Sequence, residues 1–415
     1  MHSRTVSTCT SLALGAALFV TATASAQEPA RTVSPAAAQG MVAALPVLSP
    51  EVAASGAVTF RLVAPNAQHV TVSVEGNAKP FDLQKSAEGV WEVTTPPMQP
   101  QIYGYTFAVD GQRTLDPRNP QVRPNLISPT TVVHVPSPTP APWEAQNIPH
   151  GQVEHILYRS KLVTPDASDT GDRDMWVYTP PGYDRARKQA YPVLYLNHGY
   201  SDGANGWVDA GQANLILDSL LHDGKIQPMV VVMPLGYGEM KIVTAGWNRV
   251  GGLIFENQQL YSKQLLQEVI PMAEAQFHIA RDRDHRAIAG LSMGGGHSIY
   301  TGLNHPETFA YVGAFSSAVF SPDLPMRAPG SPEPTVAEYD KGFQAIVPNA
   351  KTQQPFKLYW ESCGTEDSLI TANRAFGTWV TTNVKGNIQV RETPGMHTWM
   401  VWRDDLIAFT PLLFR

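Results

Sequence analysis

The chain of 415 residues is too long for one ordinary domain, and a composition that is 43% hydrophobic and 16% charged belongs to a folded protein rather than a disordered one. Its 30 Lys and Arg against 36 Asp and Glu leave a net charge of −6. No basic footprint is available to neutralise phosphates, which argues against nucleic acid as a partner.

Residues 1–26 read as an export signal: His2 and Arg4 near the start, an apolar run from Leu12 to Val20, then the small residues Ala24-Ser25-Ala26 as a cleavage site. The expected location is secreted or periplasmic. The apolar run is too short to span a bilayer, so no membrane association is expected once the signal is removed. Cleavage would also remove Cys9 and leave Cys363 as the only cysteine, so stability must come from core packing and not from a disulfide. Residues 27–50, rich in Ala, Pro, Val and Gln without periodicity, read as a flexible tether.

From 51 to 135 the chain turns to short alternating segments, Val58–Leu62, Val70–Val74, Val90–Thr94 and Tyr103–Val109. Ala64-Pro65-Asn66-Ala67, Glu88-Gly89 and Asp110-Gly111 supply turns between them, which together predict a small β-sandwich. A proline-rich linker occupies 136–144. From 145 to 415 apolar runs alternate with helical spacing: strands at Val193–Asn197 and Met229–Pro234, a helix over Ala213–Asp223 and a long amphipathic helix over Leu260–His278. This order predicts an α/β domain whose mostly parallel sheet is covered by helices, with any reactive residues at the C-terminal ends of its strands.

Gly290-Leu291-Ser292-Met293-Gly294 has the spacing of a nucleophile elbow. A serine projects from so tight a turn only if the positions two residues to either side carry no side chain. Downstream, the strand Phe356–Trp360 leads to Glu361-Ser362-Cys363-Gly364-Thr365-Glu366-Asp367, and Ile388–Glu392 leads to Pro394-Gly395-Met396-His397. The order Ser, acid, His suits a serine hydrolase, with Ser292 as nucleophile, His397 as general base and Asp367 as orienting acid. Glu366 competes with Asp367, and Glu361 competes more weakly. Oxyanion donors are expected from the backbone of Tyr200, in Asn197-His198-Gly199-Tyr200-Ser201, and of Met293. Trp207, Trp247, Trp399 and Trp402 are candidate substrate-binding walls by position, although tryptophan is more often core. No His or Cys cluster has metal-ligand spacing, so neither a metal nor any other cofactor is expected.

These segments, with Val177-Tyr178-Thr179-Pro180-Pro181-Gly182-Tyr183 and Tyr191-Pro192-Val193-Leu194-Tyr195, resemble the feruloyl and acetylxylan esterases of carbohydrate esterase family 1, close to the esterase-D group of α/β-hydrolases. The resemblance covers roughly 145–415 and departs at Asn197–Ser201, where many relatives have a more glycine-rich turn. It implies the α/β-hydrolase fold, a triad at Ser292, Asp367 and His397, and feruloyl esters of plant-wall xylan as substrate. An acetylxylan esterase, or a siderophore esterase or acyltransferase with the same triad, is the alternative. Val58–Ala67, Gly89-Val90-Trp91, Tyr103-Gly104-Tyr105 and Val109-Asp110-Gly111 are similar to a family-48 carbohydrate-binding module. That likeness implies a sandwich which either contacts a plant-wall polysaccharide or shapes the rim of the cleft.

Overall fold

The N-terminal strands bury every second side chain, as a sheet with one covered face requires: Val58, Phe60 and Leu62 in Val58–Val63, and Val70, Val72 and Val74 in Val70–Val74. The computed structural model describes residues 47–245, 253–324 and 331–415. The expected signal 1–26, all but the end of the 27–50 tether, and Trp247 lie outside the described residues. One sheet runs Glu51–Val52, Val58–Val63, Val90–Thr94, Gln84–Lys85. The second runs Phe81–Asp82, Val70–Val74, Gln101–Val109, Thr130–Val135, Val122–Arg123, with Gln112–Thr114 paired to its long strand. Their inward side chains share a core in which Phe60, Tyr105 and Phe107 meet as tilted and edge-to-face rings. Trp91 belongs to that core, its indole N–H donating to the Ala64 carbonyl at 2.8 Å, and so offers no stacking platform to a sugar.

The second sheet system has eight strands: β1 (Gln152–Arg159), β2 (Asp172–Thr179), β3 (Val193–Asn197), β4 (Val230–Pro234), β5 (Arg286–Leu291), β6 (Tyr311–Phe315), β7 (Phe356–Gly364) and β8 (Gly386–Thr393). Their spatial order is β1-β2-β4-β3-β5-β6-β7-β8, with the β1–β2 and β2–β4 pairs antiparallel and the rest parallel. Every residue of β3, β4, β5 and β6 is buried, which explains their continuous apolar runs: both faces are covered. The helices that matter for the site are α1 (Ala213–His222), α2 (Leu253–Gln264), α3 (Met293–Asn304), α4 (Ile370–Asn383) and α5 (Trp399–Phe409). Helices α1 and α5 pack on one face through Ile216, Leu220, Leu406 and Phe409, and α2, α3 and α4 on the other through Tyr261, Leu303 and Phe376. This is the doubly covered α/β-hydrolase arrangement. Sandwich and sheet pack into one compact unit, Val47–Arg415.

Two elements differ from their expected bounds by more than two residues at one end. The long helix starts earlier, at Leu253, and passes through a π-helical turn at Leu265–Val269 before continuing over Ile270–Gln276. Pro271 supplies the reason, since it cannot donate to the Gln267 carbonyl and its ring crowds that group, so the turn widens. Strand β7 continues past Trp360 to Gly364, because it is paired on both sides: Glu361 lies opposite Ala314 of β6 and Val390 of β8.

Candidate active site

Strand β5 ends at Leu291, and Ser292 turns the chain into α3 with φ 52° and ψ −115°. A non-glycine residue in that region costs about 1–3 kcal/mol, which the packed strand and helix on either side must offset. The tightness of the turn accounts for its glycines: a Cβ on Gly290 would fall 2.6 Å from the Gly294 carbonyl carbon, and one on Gly294 would strike the backbone of Asn197 and His198. The serine thereby stands at the sheet's C-terminal edge without side chains from the flanking glycine positions crowding it.

The structure brings Ser292, His397 and Asp367 into one line. The serine hydroxyl lies 3.0 Å from Nε2 of His397, and Nδ1 of the same ring lies 2.7 Å from Oδ2 of Asp367. Asp367 sits in the turn after β7, with its Oδ1 accepting the Leu369 N–H at 2.8 Å. Burial opposes its charge, but the hydrogen bond and positive field of His397 and the Leu369 N–H outweigh it and hold its pKa below the ordinary carboxylate value. Its two competitors are placed otherwise. Glu366 is exposed, whereas Glu361 lies inside β7, accepts the Tyr359 hydroxyl at 2.8 Å and has its pKa pushed up to about 8 by burial. A carboxyl kept neutral within the strand cannot orient an imidazole at the strand's end.

The loop after β3 closes the site from the other side. A Cβ on Gly199 would lie 3.5 Å from the Ser292 Cβ, so this loop runs directly over the serine. His198 holds it from within: its Nδ1–H donates to the Gly199 carbonyl, and its Nε2 accepts the Gly236 N–H, both at 2.8 Å. Burial lowers its pKa to about 4, which keeps the ring neutral and that tautomer in place. His297 on α3 is neutral for the same reason, its pKa lowered to about 3 by burial, and donates to the Gly236 carbonyl at 2.9 Å. Met293 is the first residue of α3, where no intrahelical acceptor exists for its N–H. Tyr200 lies in the loop, its hydroxyl donating to the carbonyls of Ile242 and Val243.

The tryptophans depart from expectation. Trp207 is fully buried, edge-on to Phe315 and Trp399, and its indole N–H donates to the Asn197 carbonyl at 2.9 Å. Trp399 and Trp402 are 4% and 6% exposed, and Trp402 presents its ring edge-on to His397 at 4.8 Å. None of the three offers a face on which a substrate could stack. They form a ladder from the sheet to the histidine, because α5, which carries Trp399 and Trp402, and the short helix Gly206–Asp209, which carries Trp207, share one core with α1. Trp207→Ala is expected to cost about 3–5 kcal/mol in chemical unfolding through the cavity it leaves, and to lower activity by freeing Asn197. An unfolding midpoint equal to that of the parent protein would disprove this role.

Other residues at the site had no signal in a linear reading. Asn125, in the sandwich loop between Val122–Arg123 and Thr130–Val135, donates to Asp202 at 2.9 Å and to the Ser201 hydroxyl at 3.0 Å, while the Leu126 N–H donates to the Ser201 carbonyl at 2.7 Å. Asp202 is buried beneath the loop, and burial raises its pKa to about 7. Among the described residues, no group of three or more His, Cys, Asp and Glu could hold a metal, and no helix is long and apolar enough to cross a membrane.

The chain is similar in sequence and fold to known esterases. The esterase family model matches residues 168–413, and carbohydrate-binding module 48 (isoamylase N-terminal domain) matches residues 48–121. An endo-1,4-beta-xylanase/feruloyl esterase of Xylanibacter ruminicola is 32% identical over 281 residues, a stretch covering 66% of this chain but only 37% of that relative's length. The family 1 ferulic acid esterase of Anaeromyces mucronatus shares the fold, with a TM-score of 0.52 and 23% identity over 65% of this chain and 93% of its own. The enterobactin esterase of Shigella flexneri aligns over 85% of this chain and 92% of its own, with a TM-score of 0.60 and 20% identity. The chain belongs to the esterase family, an α/β-hydrolase preceded by a family-48 carbohydrate-binding-module domain.

Proposed function

We propose that this esterase is an exported serine carboxylic ester hydrolase that releases feruloyl (hydroxycinnamoyl) groups from plant-wall xylan through a covalent acyl-enzyme. The observation that carries the reading is the hydrogen-bonded line from Asp367 through His397 to Ser292. Ser292 Oγ attacks the ester carbonyl carbon as its proton passes to His397 Nε2, while Asp367 keeps Nδ1–H in place and balances the imidazolium. The negative oxygen is received by the backbone N–H groups of Met293 and Tyr200. Collapse breaks the bond to the sugar oxygen, which takes the proton from Nε2. Water then gives its proton to the same nitrogen and attacks the acyl carbon; the bond to Ser292 Oγ breaks, the proton returns from Nε2 to that oxygen, and the free acid leaves.

Two further observations support the substrate. A relative named endo-1,4-beta-xylanase/feruloyl esterase, 32% identical over 281 residues, supports feruloyl esters of xylan as substrate. Beside Met293 lies an apolar group, buried Tyr237, Ile242 and Ile254 with half-buried Tyr200, Leu253 and Phe320, that suits an aromatic acyl chain better than the buried tryptophans do. Export rests on residues 1–26.

The test uses protein recovered from outside the cytoplasm, whose chain is expected to begin at Gln27. That material should hydrolyse methyl ferulate and release ferulate from arabinoxylan, with much weaker action on acetylated xylan. Strong release of acetate with no turnover of methyl ferulate would replace this reading with an acetylxylan esterase.

A further inference from the structure

His397 lies in the short turn between β8 and α5, so the start of α5 determines where its imidazole points. Thr398 stands at the N-cap of α5, where a threonine hydroxyl ordinarily accepts a first-turn N–H. Here it makes no such bond, and its buried hydroxyl has no hydrogen-bond partner. The cap comes from the sandwich instead. Oε1 of Glu75, the residue after Val70–Val74, accepts the Trp399 N–H at 3.0 Å, a contact between residues 324 positions apart.

Glu75 is itself held firmly. Its Oε2 accepts the Gly104 N–H and the Arg123 guanidinium, each at 2.9 Å, and its own backbone N–H donates to the Gly104 carbonyl at 2.8 Å. Burial opposes its charge, but Arg123 and Arg403 outweigh burial and keep its pKa below the ordinary value. Its negative charge also meets the positive end of the α5 dipole. One turn further along, buried Arg403 donates from Nε to the Gln101 side chain at 3.1 Å, from Nη2 to the Ile102 carbonyl at 2.8 Å and from Nη1 to the Ala210 carbonyl at 2.6 Å. The first two turns of α5 are therefore fastened to the sandwich at two points.

We infer that Glu75 is a positioning residue for the esterase reaction: its carboxylate sets the N-terminus of α5 and through it the angle of His397 toward Ser292. The sandwich is then part of the catalytic machinery even for a small soluble ester that needs no grip on a polysaccharide. This inference rests on the proposed triad.

The experiment measures kcat and KM for methyl ferulate in the full mature chain. Glu75→Ala is expected to lower kcat about 10- to 100-fold with KM within about twofold, the size of effect that a misplaced catalytic group produces. Glu75→Gln, which keeps one acceptor oxygen and the side-chain volume, should recover part of that loss and stands as the test if the alanine variant does not fold. Glu92→Gln, which removes an exposed sandwich ion pair with Arg61, should leave kcat unchanged and so controls for general weakening of the sandwich. Parent-level kcat in folded Glu75→Ala, or in Glu75→Gln where the alanine variant fails to fold, overturns the inference, as does an equal loss in Glu92→Gln. Ser292→Ala and His397→Ala in the same series separate the two ideas: if both are inactive while Glu75→Ala is fully active, the triad stands and the positioning role falls. If either keeps parental activity, the triad itself is wrong.

Discussion

Ser292→Ala is expected to reduce kcat on methyl ferulate by about 10^4- to 10^6-fold while the thermal unfolding midpoint stays near that of the parent. The substitution deletes one oxygen from a 5% exposed side chain and keeps the Cβ, so the elbow's packing and its strained backbone are undisturbed. What is lost is the atom that forms the acyl bond. His397 would remain paired to Asp367, and residual rate would come from the oxyanion donors and binding alone. Mass spectrometry after rapid quenching should show an acylated parent chain with an added feruloyl group on Ser292, and none on the alanine variant. A variant with parental kcat, or a parent acylated on another residue, would end the mechanism proposed above.

Asp367→Asn is the second large effect, expected at about 10^4-fold in kcat, by the reasoning that applies to a wrongly held imidazole tautomer. The present geometry says why the amide cannot imitate the acid. The Leu369 N–H needs an acceptor at the Oδ1 position, 2.8 Å away, so the amide oxygen is drawn there and the NH₂ group faces His397 Nδ1. Nδ1 must then accept, the proton moves to Nε2, and Nε2 can no longer take the serine proton. A pH dependence accompanies this. Because the folded pKa of Asp367 lies below the unfolded value, its ion contributes stability above the ordinary carboxylate range, and that contribution is lost as the pH falls through the folded value. The asparagine variant should lack this acid-side component in pH-dependent unfolding. Glu366→Gln, exposed in the same loop, should keep nearly full activity; if it instead shows the large loss and Asp367→Asn does not, the two acids must be exchanged.

Much of this site is legible in the linear sequence because its demands are local. Gly290 and Gly294 mark a turn in which a Cβ would strike backbone, and Asp367 and His397 each follow a strand whose apolar run is evident without a structure. The choice among Glu361, Glu366 and Asp367 is less local, since it depends on how far β7 stays paired, and pairing is set by β6 and β8. The tryptophans were the least legible. Nothing in the spacing of Trp207, Trp399 and Trp402 distinguishes a cleft wall from a buried ladder, because burial depends on how α5 and the short helix Gly206–Asp209 pack against α1 and the sheet.

By itself the sequence determined the succession of sandwich and α/β segments, the tight Gly290–Gly294 turn, and the chain order of the proposed nucleophile, acid and base, because periodicity, glycine punctuation and chain order all act over a few residues at a time. The tertiary structure alone decided which side chains meet across the chain. It set Asn125 against Asp202, Arg403 against Gln101, and Glu75 against the first turn of α5. Such contacts arise when two separately patterned units are packed into one, and a carboxylate that caps a helix 324 residues away leaves no trace in the local pattern of either segment.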